Sequence, residues 1–127
     1  MVKNLNKILI IEDEAFLNRV LAVTFQKNGF EVTCVENGSD AYSTAVDKLP
    51  SLIILDIALP NEDGVSILDK LKHDIKTKNI PIIILTVISD NSILESFKER
   101  GATKCLIKKS IQTVQLLEEV TTVLNLS

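Results

Sequence analysis

The run Leu52-Ile53-Ile54-Leu55-Asp56 sets an unbroken apolar segment against a single carboxylate. The segment is too short for an ordinary helix, and its Ile and Leu content between polar neighbours suits a strand. Because it is unbroken rather than alternating, it reads as a strand covered on both faces, as in a parallel sheet. Moving outward along the chain, residues 8–11 and 82–85 repeat the pattern, and residues 31–35 and 104–107 are weaker versions of it.

The intervals between these runs carry helical spacing. Phe16, Val20 and Val23 are expected on one face with Leu17, Leu21 and Thr24, and Gly29 is placed as a C-terminal stop. Ala41, Tyr42, Ala45, Val46 and Leu49 form the second stripe, which Pro50 ends. Val65, Leu68, Leu71 and Ile75 form the third, opened by Asp63-Gly64. Ile93, Leu94 and Phe97 form a short fourth that ends at Gly101, and Ser110 is the expected N-cap of a fifth carrying Val114, Leu117, Val120 and Leu124. The order is βαβαβαβαβα, which implies an α/β fold with a parallel sheet and helices on both faces.

Bulk properties narrow the function. At 127 residues the chain fits one domain, and 46% apolar residues supply a core. The formal net charge of −3 argues against a generic nucleic-acid or membrane-surface binder, which is normally basic. No apolar run approaches the ~18 residues of a membrane span, so a soluble, cytoplasmic protein is expected. Cys34 and Cys105 form no CxxC pair and have no neighbouring histidine, which disfavours a thiolate metal site. His73, the one histidine, lies between Lys72 and Asp74 and reads as a helix surface residue.

Right-handed crossovers place every strand's C-terminal end at the same edge of the sheet, where open α/β sheets bind ligands. The residues beyond the runs are Glu12, Asp13 and Glu14 after the first, Asp56 after the third, Thr86 after the fourth and Lys108 after the fifth. Taken singly, the acidic trio reads as a helix N-terminus and Lys108-Lys109 as a solvated pair. Their joint placement at four strand ends overrides that reading. Clustered carboxylates need a cation, and all-oxygen ligands with room for waters and phosphate suit Mg²⁺. A carboxylate can act as nucleophile towards phosphorus, with a lysine neutralising the transferring group.

The stretch Asp56-Ile57-Ala58-Leu59-Pro60-Asn61-Glu62-Asp63-Gly64 resembles the D-x-x-x-P-x-x-D-G run of response regulator receiver domains in two-component signalling. Ile8 to Asp13, Ile82 to Thr86 and Gly101-Ala102 leading to Lys108 resemble that family's first, fourth and fifth strands. The resemblance covers a core of about 7–124, so residues 1–127 are expected to form a single receiver domain with no output domain. It implies a flavodoxin-like sheet of order 2-1-3-4-5, with Cys34 and Cys105 on opposite edge strands. It also implies Asp56 as phosphoacceptor, and Mg²⁺ held by Glu12, Asp13, Asp56 and the backbone carbonyl of Ala58. Thr86 and Lys108 would contact the phosphoryl group. The implied donor is a sensor histidine kinase or a histidine phosphotransfer protein. A downstream protein target or output domain would read the switch, through the face made by the fourth helix, fifth strand and fifth helix, which is also the implied dimer face.

Three positions depart from the family pattern. Cys105 stands where Tyr or Phe is usual, so the coupled movement of Thr and an aromatic ring cannot operate in its normal form. Lys109 replaces the usual proline after Lys108. A cis bond without proline costs ~2.5–4 kcal/mol, so a trans bond is expected there. Val87 replaces a small residue and is expected to narrow access to Asp56. These departures support an alternative, a pseudo-receiver that binds partners without phosphate. A phosphatase of the haloacid-dehalogenase kind is disfavoured because Ala58 stands where that family places its proton-donating Asp. Dinucleotide binding is disfavoured because acidic residues replace a glycine-rich turn.

Overall fold

A computed structural model describes residues 6–59 and 63–126 of the chain. The strands are β1 (Lys7–Ile11), β2 (Glu31–Val35), β3 (Leu52–Leu55), β4 (Ile82–Thr86) and β5 (Lys104–Ile107). The helices are α1 (Ala15–Lys27), α2 (Ala41–Lys48), α3 (Gly64–His73), α4 (Asn91–Glu99) and α5 (Thr113–Val123). All strand pairs are parallel, and the sheet order is β2-β1-β3-β4-β5. That is the flavodoxin-like order which the resemblance implied. Cys34 and Cys105 are free and sit on the two opposite edges.

Strand side chains alternate between the two faces, and this alternation divides the core. Leu9, Ile11, Ile53, Leu55, Ile82 and Ile84 point towards Ala41 and Ala45 of α2, Ile67, Leu68 and Leu71 of α3, and Phe97 of α4. Ile8, Ile10, Leu52, Ile54, Ile83 and Leu85 meet Leu21 and Phe25 of α1 and Leu116 and Val120 of α5. In that second layer the Phe25 ring meets Phe30 edge-on, with centroids 5.6 Å apart and planes at 88°. Burial on both faces is why β1, β3 and β4 read as unbroken apolar runs.

The helix ends follow local chemistry. Asp63 accepts the Val65 N–H and caps α3, and Asp90 accepts the Ser92 and Ile93 N–H groups and caps α4. Gly29 and Gly101 take positive φ of 89° and 112° just past α1 and α4, which glycine adopts without strain.

Several expected core positions face solvent instead. Phe16 and Val23 are exposed, and α1 buries Asn18, Leu21 and Phe25, a stripe rotated from the expected one. Ile75 is 81% exposed because α3 ends at His73. Thr77 takes the place beneath the helix end, donating its hydroxyl to the Leu71 carbonyl at 2.6 Å. Leu49, Ile93 and Val114 are also exposed. Ser110 does not cap α5, since it belongs to the turn after β5 and its N–H bonds to the Ile107 carbonyl. The cap is Gln112, in a reciprocal box with Gln115. His73 is an exposed helix-end residue, as expected. No cis peptide bond occurs among the described residues, so the bond between Lys108 and Lys109 is trans.

Candidate functional site

The parallel ladder delivers its polar residues to one edge. Asp56 continues β3, its N–H bonded to the Ile11 carbonyl at 2.9 Å, and Glu12 continues β1, its N–H bonded to the Val35 carbonyl at 3.0 Å. Lys108 follows β5, its N–H bonded to the Thr86 carbonyl at 2.7 Å. Backbone bonds of the sheet therefore fix where these three side chains begin.

Glu12 and Asp56 are only 2% and 4% exposed, whereas Asp13 is open to solvent. Oxygen atoms of Glu12, Asp13 and Asp56 all lie within 4.8 Å of one another. The Lys108 Nζ reaches into this group, 2.6 Å from Glu12 Oε1, 3.1 Å from Asp56 Oδ2 and 3.4 Å from Glu14 Oε2. The closest of these contacts is an ion pair by distance, yet Glu12 Oε1 has no aligned hydrogen-bond donor among the described residues. Its other oxygen accepts the Glu14 N–H at 3.0 Å. The Asp56 Oδ1 accepts the Ala58 N–H at 3.0 Å, which leaves Oδ2 turned to Lys108.

The electrostatics follow from burial. Removal from water raises the Glu12 carboxyl above its ordinary value, and the Asp56 charge adds to the rise, while Lys108 and the Glu14 N–H oppose it. Burial alone would lower the Lys108 ammonium, but its contacts with Glu12 and Asp56 outweigh this and raise it. One ammonium thus faces several carboxylates. The residual negative charge and the convergence of hard oxygen donors from Glu12, Asp13 and Asp56 fit a small divalent cation.

The structure brings Glu12, Asp13, Asp56 and Lys108 together. Thr86 is fully buried beside them, its hydroxyl oxygen accepting the Ile88 N–H at 3.2 Å, and it joins Lys108 through the backbone. Ala58 is tied to Asp56 by its N–H, and it bridges to Asp63. Pro60, Asn61 and Glu62 of the expected motif lie outside the described residues. Sequence reasoning missed Asn18, whose side-chain amide donates to the Glu12 carbonyl at 2.6 Å. A polar residue in step with Leu21 and Phe25 was the available signal.

Gly64, at the start of α3, supports the site from below. A Cβ there would lie 2.5 Å from Ile57 Cα and 2.7 Å from the Ile57 carbonyl carbon. Both are backbone atoms of the residue linking Asp56 to Ala58. Gly64→Ala is expected to lower stability by about 1–3 kcal/mol through this overpacking. Urea unfolding measures it, and an unchanged midpoint would contradict the close approach.

Comparison with known proteins bears on the same edge. Residues 8–121 match the family model described as response regulator receiver domain. The phosphate regulon transcriptional regulatory protein PhoB of Pseudomonas aeruginosa is 42% identical over 101 residues, covering 80% of this chain and 44% of PhoB. Histidine kinase P4 of Formosa agariphila is 38% identical over 108 residues, which are 84% of this chain and 8% of the kinase. The chain thus spans less than half the length of either curated relative. The BeF3-activated N-terminal receiver domain of Klebsiella pneumoniae RstA superposes with a TM-score of 0.84 at 27% identity, covering 94% of this chain and 98% of that one.

Proposed function

Because the chain belongs to the response regulator receiver domains, we propose that it accepts a phosphoryl group on Asp56, with Mg²⁺, and switches a partner by doing so. The observation that carries this reading is a buried Asp56 carboxylate held at the sheet edge between a lysine and a second buried carboxylate. An Asp56 oxygen forms the new bond to phosphorus while the P–N bond of a phosphohistidine breaks. The electron pair of that bond stays on the imidazole, which then takes up a proton.

Glu12, Asp13, Asp56 and the Ala58 carbonyl would hold Mg²⁺, whose charge when bound offsets that of the phosphoryl oxygens. Lys108 does the same from β5, and the Thr86 hydroxyl donates to a phosphoryl oxygen. The chain is a signalling domain, and the proposed chemistry on it is limited to this transfer and to hydrolysis of its product. The donor is a sensor histidine kinase or a histidine phosphotransfer protein, in the cytoplasm. The reader is a downstream protein or an output domain, with α4, β5 and α5 as the switching and dimerisation face. Among the described residues no helix is long and apolar enough to cross a membrane.

Cys105 favours a second reading. Its thiol lies against the Leu94 carbonyl at 3.5 Å, in the place where the family carries an aromatic switch residue. A pseudo-receiver would bind its partner equally with or without phosphodonor, and would be indifferent to Asp56→Ala.

The test is transfer from a phosphorylated histidine phosphotransfer protein, with Mg²⁺ and with chelator. Rapid labelling that needs Mg²⁺ supports the proposal. Absence of labelling together with donor-independent partner binding favours the pseudo-receiver. Lys108→Met is expected to slow transfer by about 10²-fold through loss of a charge-stabilising donor. The same variant is expected to bind Mg²⁺ more tightly than wild type, because the competing ammonium is gone. Unchanged transfer would remove Lys108 from the chemistry.

A further inference from the structure

Asn18 is out of place on its helix face. It lies on α1 in register with Leu21 and Phe25, and it is 5% exposed. A leucine of similar size would bury cleanly there, whereas an amide must find partners or bear the loss. Only half of this amide is satisfied. Nδ2 donates to the Glu12 carbonyl at 2.6 Å, while Oδ1 has no partner among the described residues. The orientation follows from chemistry, because a carbonyl can only accept and so must face the amide nitrogen.

The Glu12 carbonyl stands where the β1 ladder has ended. The Ile11 carbonyl before it is taken by the Asp56 N–H, and α1 opens with the Asn18 N–H bonded to the Glu14 carbonyl. Between these points the chain turns from strand to helix within Glu12, Asp13 and Glu14. Two side-chain ties hold that turn. The Glu14 N–H bonds to the Glu12 carboxylate, and the Asn18 amide bonds to the Glu12 backbone. Fixing the Glu12 carbonyl fixes the peptide plane joining Glu12 to Asp13, and with it the direction in which each carboxylate leaves the backbone.

We infer that Asn18 is a positioning residue, whose buried amide holds the Glu12–Asp13 peptide so that both carboxylates converge on the cation. This inference rests on the proposed Mg²⁺ site, and Asn18 itself touches neither cation nor phosphoryl group. It predicts that stability and affinity separate. Asn18→Leu removes the half-satisfied amide while filling the same space, so the fold is retained and the turn is released.

Calorimetric titration with Mg²⁺ on wild type and Asn18→Leu tests this, beside thermal melting and amide exchange of the metal-free proteins. The expected result is a melting temperature at or above that of wild type, with Mg²⁺ affinity about 10-fold weaker or more, the effect of losing a residue that orients a ligand. Faster exchange of the Glu14 amide should accompany it. A folded Asn18→Leu protein with wild-type affinity would overturn the inference. If wild type bound no Mg²⁺, the cation reading would fall by itself, and Glu14 exchange would decide whether Asn18 holds the turn. If Asn18→Leu failed to fold, Asn18→Ala, which only opens a hole, would carry the same comparison.

Discussion

Asp56→Asn is expected to yield a folded protein that takes up no phosphoryl group at position 56. The amide copies the shape of the carboxylate, and its oxygen can accept the Ala58 N–H as Asp56 Oδ1 does at 3.0 Å. Its nitrogen carries no lone pair free to attack phosphorus, so the chemistry stops. Stability should survive the change. The variant loses the 3.1 Å contact of Asp56 with Lys108, but Lys108 keeps Glu12 at 2.6 Å and Glu14 at 3.4 Å. It also loses the repulsion between two buried carboxylates.

Glu12 gives that gain a pH signature. Its carboxyl is raised from an ordinary value of 4.5 by burial, and secondarily by the Asp56 charge. Folding therefore favours protonated Glu12, and this contribution is lost as pH rises from the unfolded value through the raised folded one. Removing the Asp56 charge narrows the window. Denaturant titrations at pH 5 and pH 7 should show a smaller loss for Asp56→Asn than for wild type. An equal loss would mean that the two carboxylates do not interact.

Phe25→Ala is expected to cost about 3–5 kcal/mol, the usual penalty for truncating a fully buried phenylalanine. Phe25 is completely buried in the layer between the sheet and helices α1 and α5, in one cluster with Ile8, Leu52 and Val120. Truncation removes the ring, its edge-on contact with Phe30, and the main anchor of the C-terminal half of α1. Domains of this size hold only about 5–15 kcal/mol in total, so the variant would be close to unfolding at 37 °C. The checking measurement is a urea midpoint with unchanged slope. Phe25→Leu, which keeps most of the volume, should recover more than half of the loss. A loss below about 1 kcal/mol for the alanine variant would show that this layer is not packed as described.

The sequence displays some of these features far more plainly than others. β1, β3 and β4 were legible because strands buried on both faces leave unbroken apolar runs. The strand-end residues were legible for a topological reason, since a parallel order forces Glu12, Asp56 and Lys108 to one edge whatever their separation. Helix faces were harder to read. Phe16 and Val114 are apolar and helically spaced, yet the buried stripes run through Asn18, Leu21 and Phe25 on α1 and Leu116 and Val120 on α5, which turns both residues to solvent. Ile75 failed because Asp74 takes extended backbone and ends α3 first. Ser110 looked like a cap, but the turn after β5 uses it, and the helix starts later on a Gln112–Gln115 pair. Asn18 was half legible: the sequence shows a polar residue in step with Leu21 and Phe25, but its partner is the Glu12 backbone carbonyl, which no residue type announces.

Mass spectrometry of the wild-type chain after acetyl phosphate treatment, with Mg²⁺ and with chelator, decides whether Asp56 is the phosphoacceptor. The expected result is a single addition of ~80 Da, seen only with Mg²⁺ and mapped to the peptide containing Asp56. An addition on another residue, or one that persists undiminished in chelator, would contradict it.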